Sequence, residues 1–170
     1  MRAPLDNSYW VIPSRFLAGE HPFGNDPHDA QDRFAALREA GIDFFLDLTE
    51  IGERPVYRRL LRRNVSYLRY PIVDCGVPAE DGQMRQIQAA IRGALDAKRN
   101  LYIHCQAGIG RTGLVVGCYL ADEGLGGKAA LTKLNKLWQQ SARSENWAAI
   151  PQTQEQANYI RRWSQLRKAG

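Results

Sequence analysis

The sequence predicts one α/β domain, with a mainly parallel central sheet of about five strands and helices on both faces. Short β-prone apolar segments alternate along the chain with helical segments that have one apolar face, which is the pattern of a parallel sheet covered by helices. Glycine, proline and capping residues separate these segments. Because 170 residues are enough to bury a single core, we assign residues 1–170 to one domain, with residues 1–8 as a flexible leader.

The first third of the chain predicts a hairpin, a helix and a buried strand. Residues 9–12 and 15–18 are two short β-prone segments separated by a Pro-Ser pair, and they predict an edge hairpin. Asp26, with a proline next to it, is typical of a helix N-terminus. Gly41 ends the apolar face of that helix, and the apolar residues 44–48 follow as a strand.

The rest of the chain continues the alternation. Residues 53–64 hold five arginines around a thin apolar stripe and predict a basic helix; residues 65–72 and 101–103 predict strands. Residues 114–120 are apolar almost without a break, as in a buried helix. Amphipathic helices are indicated by three sets of apolar residues at helical spacing: Met84, Ile87, Ile91 and Leu95; Leu131, Leu134 and Leu137; and Ile160, Trp163 and Leu166.

Net charge, hydropathy and the number of cysteines indicate the kind of partner and the location of the protein. Lysine and arginine number 23 against 18 acidic residues, so the net charge of +5 favours anionic partners without naming them. No segment approaches the roughly 18 apolar residues of a membrane span, and the N-terminus lacks a signal-peptide pattern. The odd count of three cysteines argues against a secreted disulfide framework. We therefore predict reduced thiols and a cytoplasmic location. The oligomeric state stays open, with a monomer as the favoured state.

A glycine-rich loop joins the strand at 101–103 to the following helix. The backbone N–H groups between Cys105 and Arg111 can face inward and hold an anion, and the N-terminus of the next helix points into the same space. This pattern is typical of a phosphate site. We assign phosphate binding to the loop residues Gln106, Ala107, Gly108, Ile109 and Gly110.

Other glycine-rich patterns fit this loop less well. Gly108, Gly110 and Gly113 satisfy the dinucleotide pattern, but no second strand ends in an acidic residue about 20 positions later. The match to the kinase glycine loop has no Val-Ala-Ile-Lys or Asp-Phe-Gly segment to accompany it. No Gly-Lys-Ser/Thr sequence ends the loop, so the Walker pattern is absent too.

Cys105 also admits readings without phosphate chemistry. A buried structural thiol in a tight turn leaves Arg111 and the loop amides without a role. A papain-like pair needs His21 or His28, because His104 points to the opposite face of its strand. The cysteine and histidine spacings match no zinc pattern.

The residue types suggest attack on phosphorus. A helix N-terminus, inward amides and Arg111 favour the thiolate form of Cys105, which is the nucleophilic form. The planar guanidinium of Arg111 can grip two phosphate oxygens throughout the transfer. The leaving oxygen needs a proton, and Asp74, on a loop after a strand, is the candidate acid, with Asp81 as the alternative.

Hydrolysis of the resulting phosphocysteine needs an aligned water molecule. Neutral amides such as those of Gln152 and Gln156 can hold it without repelling the phosphate. The hydroxyl of Thr112 can hydrogen-bond the thiolate and ease its departure. A capping-box pattern, Thr153 with Gln156, opens the last helix.

The segment His104-Cys105-x5-Arg111-Thr112 resembles the signature of the cysteine-based protein tyrosine phosphatase superfamily. Residues 70–74, Tyr-Pro-Ile-Val-Asp, resemble the general-acid loop of small dual-specificity-like members. Residues 152–156, Gln-Thr-Gln-Glu-Gln, resemble the water-positioning loop of the larger tyrosine-specific members. The resemblance implies a tyrosine-phosphatase-like fold and phosphomonoester hydrolysis through a phosphocysteine, with no metal and no cofactor. It also implies that Asp74 acts first as acid and then as base, and that His104 supports the loop.

The substrate stays open at this point. The first prediction is a protein tyrosine or dual-specificity phosphatase. The phosphotyrosine-recognition segment of tyrosine-specific members is not found in the sequence, which favours dual-specificity or atypical substrates. The uncharged loop residues disfavour a phosphoinositide, and small phosphorylated metabolites also fit. Two further alternatives are a phosphate-binding module with little turnover and a sulfur or arsenate transferase, although the last has no use for Asp74.

The arginine-rich segment and Cys75 each have a structural and a functional interpretation. The arginines of the basic segment, Arg54, Arg58, Arg59, Arg62 and Arg63, are read chiefly as a solvated helix face, and secondarily as a contact for an acidic substrate. Cys75 is read as a small buried residue, with a redox partnership with Cys105 as the alternative. We expect a phosphorylated protein or another phosphomonoester as partner, no nucleic acid and no stable membrane insertion.

Overall fold

The computed structural model describes residues 2–24 and 26–166, and it has one five-stranded sheet of order β1-β2-β5-β3-β4. The strands are β1 (Ser8–Ile12), β2 (Phe16–Gly19), β3 (Phe44–Asp47), β4 (Ser66–Arg69) and β5 (Leu101–His104). β1 and β2 form the predicted antiparallel edge hairpin, and the other neighbouring pairs are parallel. The prediction of a mainly parallel sheet of about five strands is confirmed, with β1 making the sheet mixed.

Five α-helices flank the sheet in the described part of the chain. They are α1 (Pro27–Glu39), α2 (Asp81–Asp96), α3 (Gly110–Leu120), α4 (Gly127–Trp138) and α5 (Gln154–Leu166). A π-helical turn follows α3 at Ala121–Leu125. Short 3-10 turns occur at Arg58–Leu60 and Ala142–Glu145.

The alternation of side chains along each strand divides the core into two layers. Leu17, Phe45 and Tyr102 pack with Leu37 of α1 on one face of the sheet. On the other face, strand residues such as Leu46 and Ile103 pack with the buried sides of α2, α3, α4 and α5. Helices therefore cover both faces, as predicted.

The strand register brings the site residues to one edge of the sheet. Gly19 of β2 and Asp47 of β3 both lie opposite His104 of β5, and Asp47 lies opposite Arg69 of β4. Because these strands are parallel, their carboxyl ends share the same edge, which is where ligands bind in such folds. Cys105 is the next residue after β5 and therefore emerges there.

The residues predicted to begin and end the first helix, α1, do so in the structure. The Asp26 carboxylate accepts hydrogen bonds from the N–H groups of His28 and Asp29, at 2.8 and 3.0 Å, and Pro27 occupies the first turn. At the other end, Gly41 has a φ of +79°, a conformation that side chains with a Cβ rarely adopt. The helix ends there because the chain turns back into the sheet.

The predicted basic helix at residues 53–64 is wrong. Only the single 3-10 turn Arg58–Leu60 forms, and the rest of the segment is irregular. Contacts with distant residues hold the segment extended: Glu53 pairs with Arg111, Arg54 donates to the Gly24 carbonyl, and buried Tyr57 bonds to His104. These contacts need an open backbone, and Pro55 removes a helical hydrogen bond.

The residues predicted as a flexible leader are anchored where the structure describes them; Met1 lies outside those residues. Leu5 is only 5% exposed and packs in the layer that contains Trp10. The Asp6 carbonyl accepts a hydrogen bond from Ala142, at 2.8 Å. Apolar burial and backbone pairing thus fix this segment against the domain.

Candidate active site

The glycine-rich loop occupies residues 105–109, between β5 and α3, at the carboxyl edge of the sheet. Cys105 is 2% exposed. Gly108 has a φ of +75°, and a Cβ there would lie 2.6 Å from the backbone carbonyl carbon of Gly19. Glycine is therefore required for the loop to pass this close to β2.

The outer side of the loop is braced by neighbouring segments. The His21 N–H donates to the Gln106 carbonyl at 3.0 Å, and an Arg143 nitrogen donates to the Ala107 carbonyl at 2.6 Å. Arg143 is itself paired with Glu20 at 2.9 Å. These contacts hold the loop carbonyls away from the site.

The backbone N–H groups of the loop are free to bind an anion. Within residues 2–24 and 26–166, the N–H groups of residues 106–109 have no hydrogen-bond acceptor. A run of unpaired backbone N–H groups beside a helix N-terminus is the feature expected of an oxyanion site. This arrangement supports the predicted role of the loop in phosphate binding.

Arg111 lies at the start of α3 and is 1% exposed. Its terminal nitrogens donate to both carboxylate oxygens of Glu53, at 2.7 and 2.5 Å, and to the Ile72 carbonyl at 3.1 Å. Burial alone would lower the pKa of Arg111, but the Glu53 hydrogen bond, Cys105 and Asp74 raise it above its usual range. The guanidinium is thus a fixed cation beside Cys105.

Glu53 is a site residue that the sequence reasoning missed. Its side chain is 16% exposed, and although burial raises its pKa, the hydrogen bonds from Arg111 and the Glu50 backbone lower it overall. It precedes Arg111 by 58 residues and belongs to no motif. A lone acid at the start of an arginine-rich segment was the signal available in the sequence.

Asp74 meets Arg111 across the site. An Asp74 carboxylate oxygen lies 2.9 Å from an Arg111 nitrogen, and its side chain is 59% exposed. The following residue, Cys75, has a φ of +60°. The structure therefore brings the predicted acid to the mouth of the loop; the side chain of Asp81, the alternative acid, lies outside the described residues.

The acid loop is held by the start of α5. The Thr153 hydroxyl donates to the Cys75 carbonyl at 3.4 Å, and the Gln156 amide donates to the Gly76 carbonyl at 2.9 Å. Thr153 and Gln156 also form the predicted capping box, with reciprocal bonds of 3.1 and 3.2 Å. Both polar atoms of the buried Gln156 amide are thus bonded to backbone, so we read it as a support for the acid loop.

Gln152 lies beside the other end of the loop. Its amide oxygen is 3.0 Å from the position that a Cβ on Gly110 would take, and its side chain is exposed. Gly110 therefore leaves the space that Gln152 fills. This position, between solvent and the loop, suits an amide that orients water.

Thr112 and His104 are buried under the loop. The Thr112 hydroxyl donates to the Gly19 carbonyl at 3.4 Å, and its predicted bond to the thiolate stays a prediction. One His104 nitrogen lies 2.5 Å from the Tyr57 hydroxyl, and the other lies 3.3 Å from the Cys105 carbonyl. Burial lowers the pKa of His104. A neutral His104 therefore supports the backbone at Cys105.

The other two cysteines differ in their surroundings. Cys118 is buried in α3, as predicted. Cys75 is exposed, so the prediction that it is a small buried residue is wrong; its thiol donates to an Asp74 carboxylate oxygen at 3.8 Å. All three cysteines are free.

In residues 2–24 and 26–166, no three histidine, cysteine or acidic side chains are grouped to hold a metal ion. In the same residues, none of the helices has the length and apolar content needed to cross a bilayer.

The chain is similar to proteins of one family. Residues 22–125, more than half of the chain, match the family described as "polymorphic toxin system, DSP-PTPase phosphatase". A protein named as tyrosine phosphatase 067L, of Invertebrate iridescent virus 3, is 34% identical over 113 residues, which cover 64% of this chain and 45% of the relative. A second, named as tyrosine phosphatase 197R, of Invertebrate iridescent virus 6, is 27% identical over 81% of this chain and 48% of its own length.

Solved structures share the fold. The crystal structure of Tk-PTP in the active form superposes with a TM-score of 0.76 at 22% identity, covering 94% of this chain and 97% of the other. The chain spans about half the length of the two viral relatives. With its Cys105 to Arg111 loop at the carboxyl edge of a mainly parallel sheet, the chain belongs to the DSP-PTPase family of phosphatases.

Proposed function

We propose that this protein hydrolyses phosphomonoesters through a phosphocysteine, as a protein tyrosine or dual-specificity phosphatase. One observation carries the proposal: Cys105 and Arg111 bracket four backbone N–H groups, those of residues 106–109, that have no acceptor in the described part of the chain. Asp74 lies against Arg111 at 2.9 Å, within reach of a phosphate ester held by the guanidinium. The set contains a nucleophile, an anion site and an acid.

In the first step, the Cys105 sulfur attacks phosphorus. The S–P bond forms while the bond to the leaving oxygen breaks, and the carboxylic acid form of Asp74 gives its proton to that oxygen. The loop amides and Arg111 hold the three equatorial oxygens. Entry of the phosphate displaces the Asp74 carboxylate from Arg111. The freed carboxylate then takes up a proton from solvent before it protonates the leaving oxygen.

In the second step, water attacks the phosphocysteine. Gln152, beside Gly110, orients the water, and the Asp74 carboxylate takes its proton. The S–P bond breaks, and inorganic phosphate leaves with the Cys105 thiolate restored. Catalysis requires Cys105 in the reduced form, and for this reason we keep the cytoplasm as the proposed location.

The proposed substrates are phosphorylated proteins. The viral relatives are named as tyrosine phosphatases, and the loop side chains Gln106, Ala107 and Ile109 carry no charge that would select a highly phosphorylated lipid. Phosphoinositides and small phosphorylated metabolites are the competing substrates. A panel of phosphotyrosine and phosphoserine peptides, phosphoinositides and nucleotides ranks these classes by kcat/KM.

Hydrolysis of an aryl phosphate in the presence of a chelator tests the chemistry. We expect turnover by the wild type, loss of turnover in Cys105→Ser, and a trapped phosphocysteine after acid quench of the wild type. Cys118→Ala, which removes a buried thiol elsewhere in α3, is the control. Turnover retained by Cys105→Ser would overturn the mechanism, and phosphopeptide binding without wild-type turnover would show a phosphate-binding module.

A further inference from the structure

The two outermost strands of the sheet, β1 and β4, differ in how their outer backbone groups are paired. At β1, the side chain of Gln140 covers the edge. Its amide oxygen accepts from the Trp10 N–H, and its amide nitrogen donates to the Trp10 carbonyl, both at 3.1 Å. A side chain that mimics a neighbouring strand therefore closes this edge of the sheet.

The outer edge of β4 has no such cover. In a parallel pair, the backbone groups of alternate residues point toward the neighbouring strand, and the N–H groups of Ser66 and Tyr70 donate in the direction of β3. The backbone groups of Tyr67 and Arg69 point the other way. Within residues 2–24 and 26–166, neither the N–H nor the carbonyl of these two residues has a hydrogen-bond partner. This edge can therefore accept another strand.

A positively charged groove lies beside the open edge. Its volume is about 450 Å³, and its walls include Tyr67 and Leu68 of β4 and three exposed arginines, Arg58, Arg62 and Arg63. Among the described residues that line the groove, none is acidic. In the described part of the chain, no carboxylate pairs with any of these arginines. The groove therefore offers unneutralised cations next to unpaired backbone groups.

The two faces of β4 present different side chains to a strand that is added there. Tyr67 packs on the α1 face of the sheet together with Leu61, which lies within the arginine segment. Leu68, the next residue of β4, points to the opposite face and is 40% exposed. An added strand lies about 4.8 Å from β4 and alternates in the same way. Its side chains therefore meet the arginines on one face and Leu68 on the other.

We propose that the edge of β4 binds an extended acidic segment of a partner protein, in which acidic and apolar residues alternate. The acidic side chains pair with the arginines, the apolar ones cover Leu68, and the backbone of the segment bonds to Tyr67 and Arg69. A second copy of this chain suits the edge less well, because it brings a second set of the same arginines. The inference goes beyond the proposed function, since binding requires no turnover.

A titration with model peptides tests the proposal. The isotopically labelled, reduced full chain is titrated at low ionic strength with a short peptide of alternating valine and glutamate, and amide shifts are followed by NMR. The matched control is a peptide of alternating valine and lysine. We expect the acidic peptide to bind in the millimolar range or more tightly, and the basic one not to bind. No binding of the acidic peptide, or equal binding of both, would overturn the proposal.

Hydrogen exchange distinguishes strand addition from a simple charge contact. In the bound protein, exchange of the Tyr67 and Arg69 amides should slow, because both gain an acceptor, whereas the Leu68 amide, directed toward β3, should change little. Binding without slower exchange at Tyr67 and Arg69 would overturn strand addition. Slow exchange of these two amides without peptide at high protein concentration would show that a second copy occupies the edge, and would also overturn the proposal.

Arginine variants locate the peptide on the groove. Arg62→Gln combined with Arg63→Gln should weaken binding of the acidic peptide about fivefold, since two exposed ion pairs are lost. Arg162→Gln, an exposed change in α5, is the control and should bind as the wild type does. Unchanged affinity in the double variant would overturn the role of the arginines. Tighter binding of phosphatidylserine vesicles than of the peptide, lost in the double variant, would assign the arginines to a membrane and overturn the proposal.

Turnover of an aryl phosphate keeps this proposal separate from the proposed function. The wild type, the double variant and Arg162→Gln should hydrolyse it equally, because none of the exchanged arginines contacts the signature loop in the described residues. A wild type without turnover contradicts the phosphatase activity alone, whereas a wild type that turns over without binding the acidic peptide contradicts the docking edge alone.

Discussion

Glu53 binds Arg111 through both carboxylate oxygens, at 2.7 and 2.5 Å. A guanidinium has five N–H groups in one plane, and the Ile72 carbonyl and Asp74 contact the terminal nitrogens as well. The buried Nε of Arg111 has no partner in the described part of the chain. Glu53 therefore sets the plane in which Arg111 presents that nitrogen to a phosphate.

We expect Glu53→Gln to lower kcat/KM for an aryl phosphate on the order of 10²-fold, because a misplaced catalytic group costs about that much. Glu39→Gln removes an exposed carboxylate from the end of α1 and serves as control. Steady-state kinetics are measured beside circular dichroism, so that loss of fold is recognised. An unchanged kcat/KM in a folded Glu53→Gln variant would contradict the positioning role.

Asp74→Asn should slow the first chemical step. Removing a general acid costs about 10² to 10⁴-fold in rate, and the loss should be largest for alkyl phosphates, whose leaving groups need the proton most. Pre-steady-state rates for an alkyl and a nitrophenyl phosphate give this comparison. Normal rates in Asp74→Asn, together with a loss in Asp81→Asn, would move the acid to Asp81.

Gln152→Ala should slow hydrolysis of the phosphocysteine more than its formation. Water then loses the amide that orients it, and a burst of nitrophenol followed by a slow steady rate is expected. Gln154→Ala, an exposed change within α5, is the control. Gly110→Ala should produce the same burst, since its Cβ would lie 3.0 Å from the Gln152 amide oxygen. Absence of a burst in both variants would remove Gln152 from the second step.

Asp47 makes a pH-dependent contribution to stability. Burial raises its pKa, but hydrogen bonds from the Thr49 backbone and from the hydroxyls of Thr49 and Tyr67 bring it below the usual range. Its side chain is fully buried and pairs with Arg69 at 2.8 Å. Since the pKa is lower in the folded state, the stabilisation is complete above the unfolded pKa of about 3.9 and is lost as pH falls through the folded value.

Asp47→Asn should therefore lower the free energy of unfolding by about 3 kcal/mol at pH 7. The difference from the wild type should stay constant down to about pH 5 and shrink below about pH 4. Urea unfolding at several pH values measures it, with the exposed Asp32→Asn as control. A difference that is independent of pH down to the acid-unfolded state would contradict the assignment.

The sequence predicted the part of the site whose residues lie close together in the chain. Cys105, the glycines and Arg111 lie within one strand, loop and helix start, and the capping pair of Thr153 and Gln156 acts over three residues. The spacing of these residues in the sequence is enough to predict how they are arranged in the loop. Asp74 came from a resemblance, and the structure brings it to within 2.9 Å of Arg111.

The sequence did not predict the residues whose roles depend on partners far away in the chain. Glu53 binds Arg111, which lies 58 positions later in the chain. The spacing of the arginines around Glu53 resembled that of an amphipathic helix and led to the wrong prediction of a helix. Its actual conformation follows from long-range contacts at Glu53, Arg54 and Tyr57. Leu5 was predicted to lie in a flexible leader because the segment before β1 is too short to show a periodic pattern of apolar residues. In the structure, Leu5 packs in the layer that contains Trp10.

The ion pair of Asp74 with Arg111 also means that the chain itself supplies an anion that competes for the phosphate-binding guanidinium. A carboxylate on the same chain competes at an effective concentration in the millimolar range or higher. Monoanions such as acetate or chloride add little to what Asp74 already supplies, whereas a phosphate dianion gains Arg111 and the loop amides together. Each released product is replaced at once by Asp74, so the protein should turn over in the presence of phosphate concentrations that would saturate an open anion site.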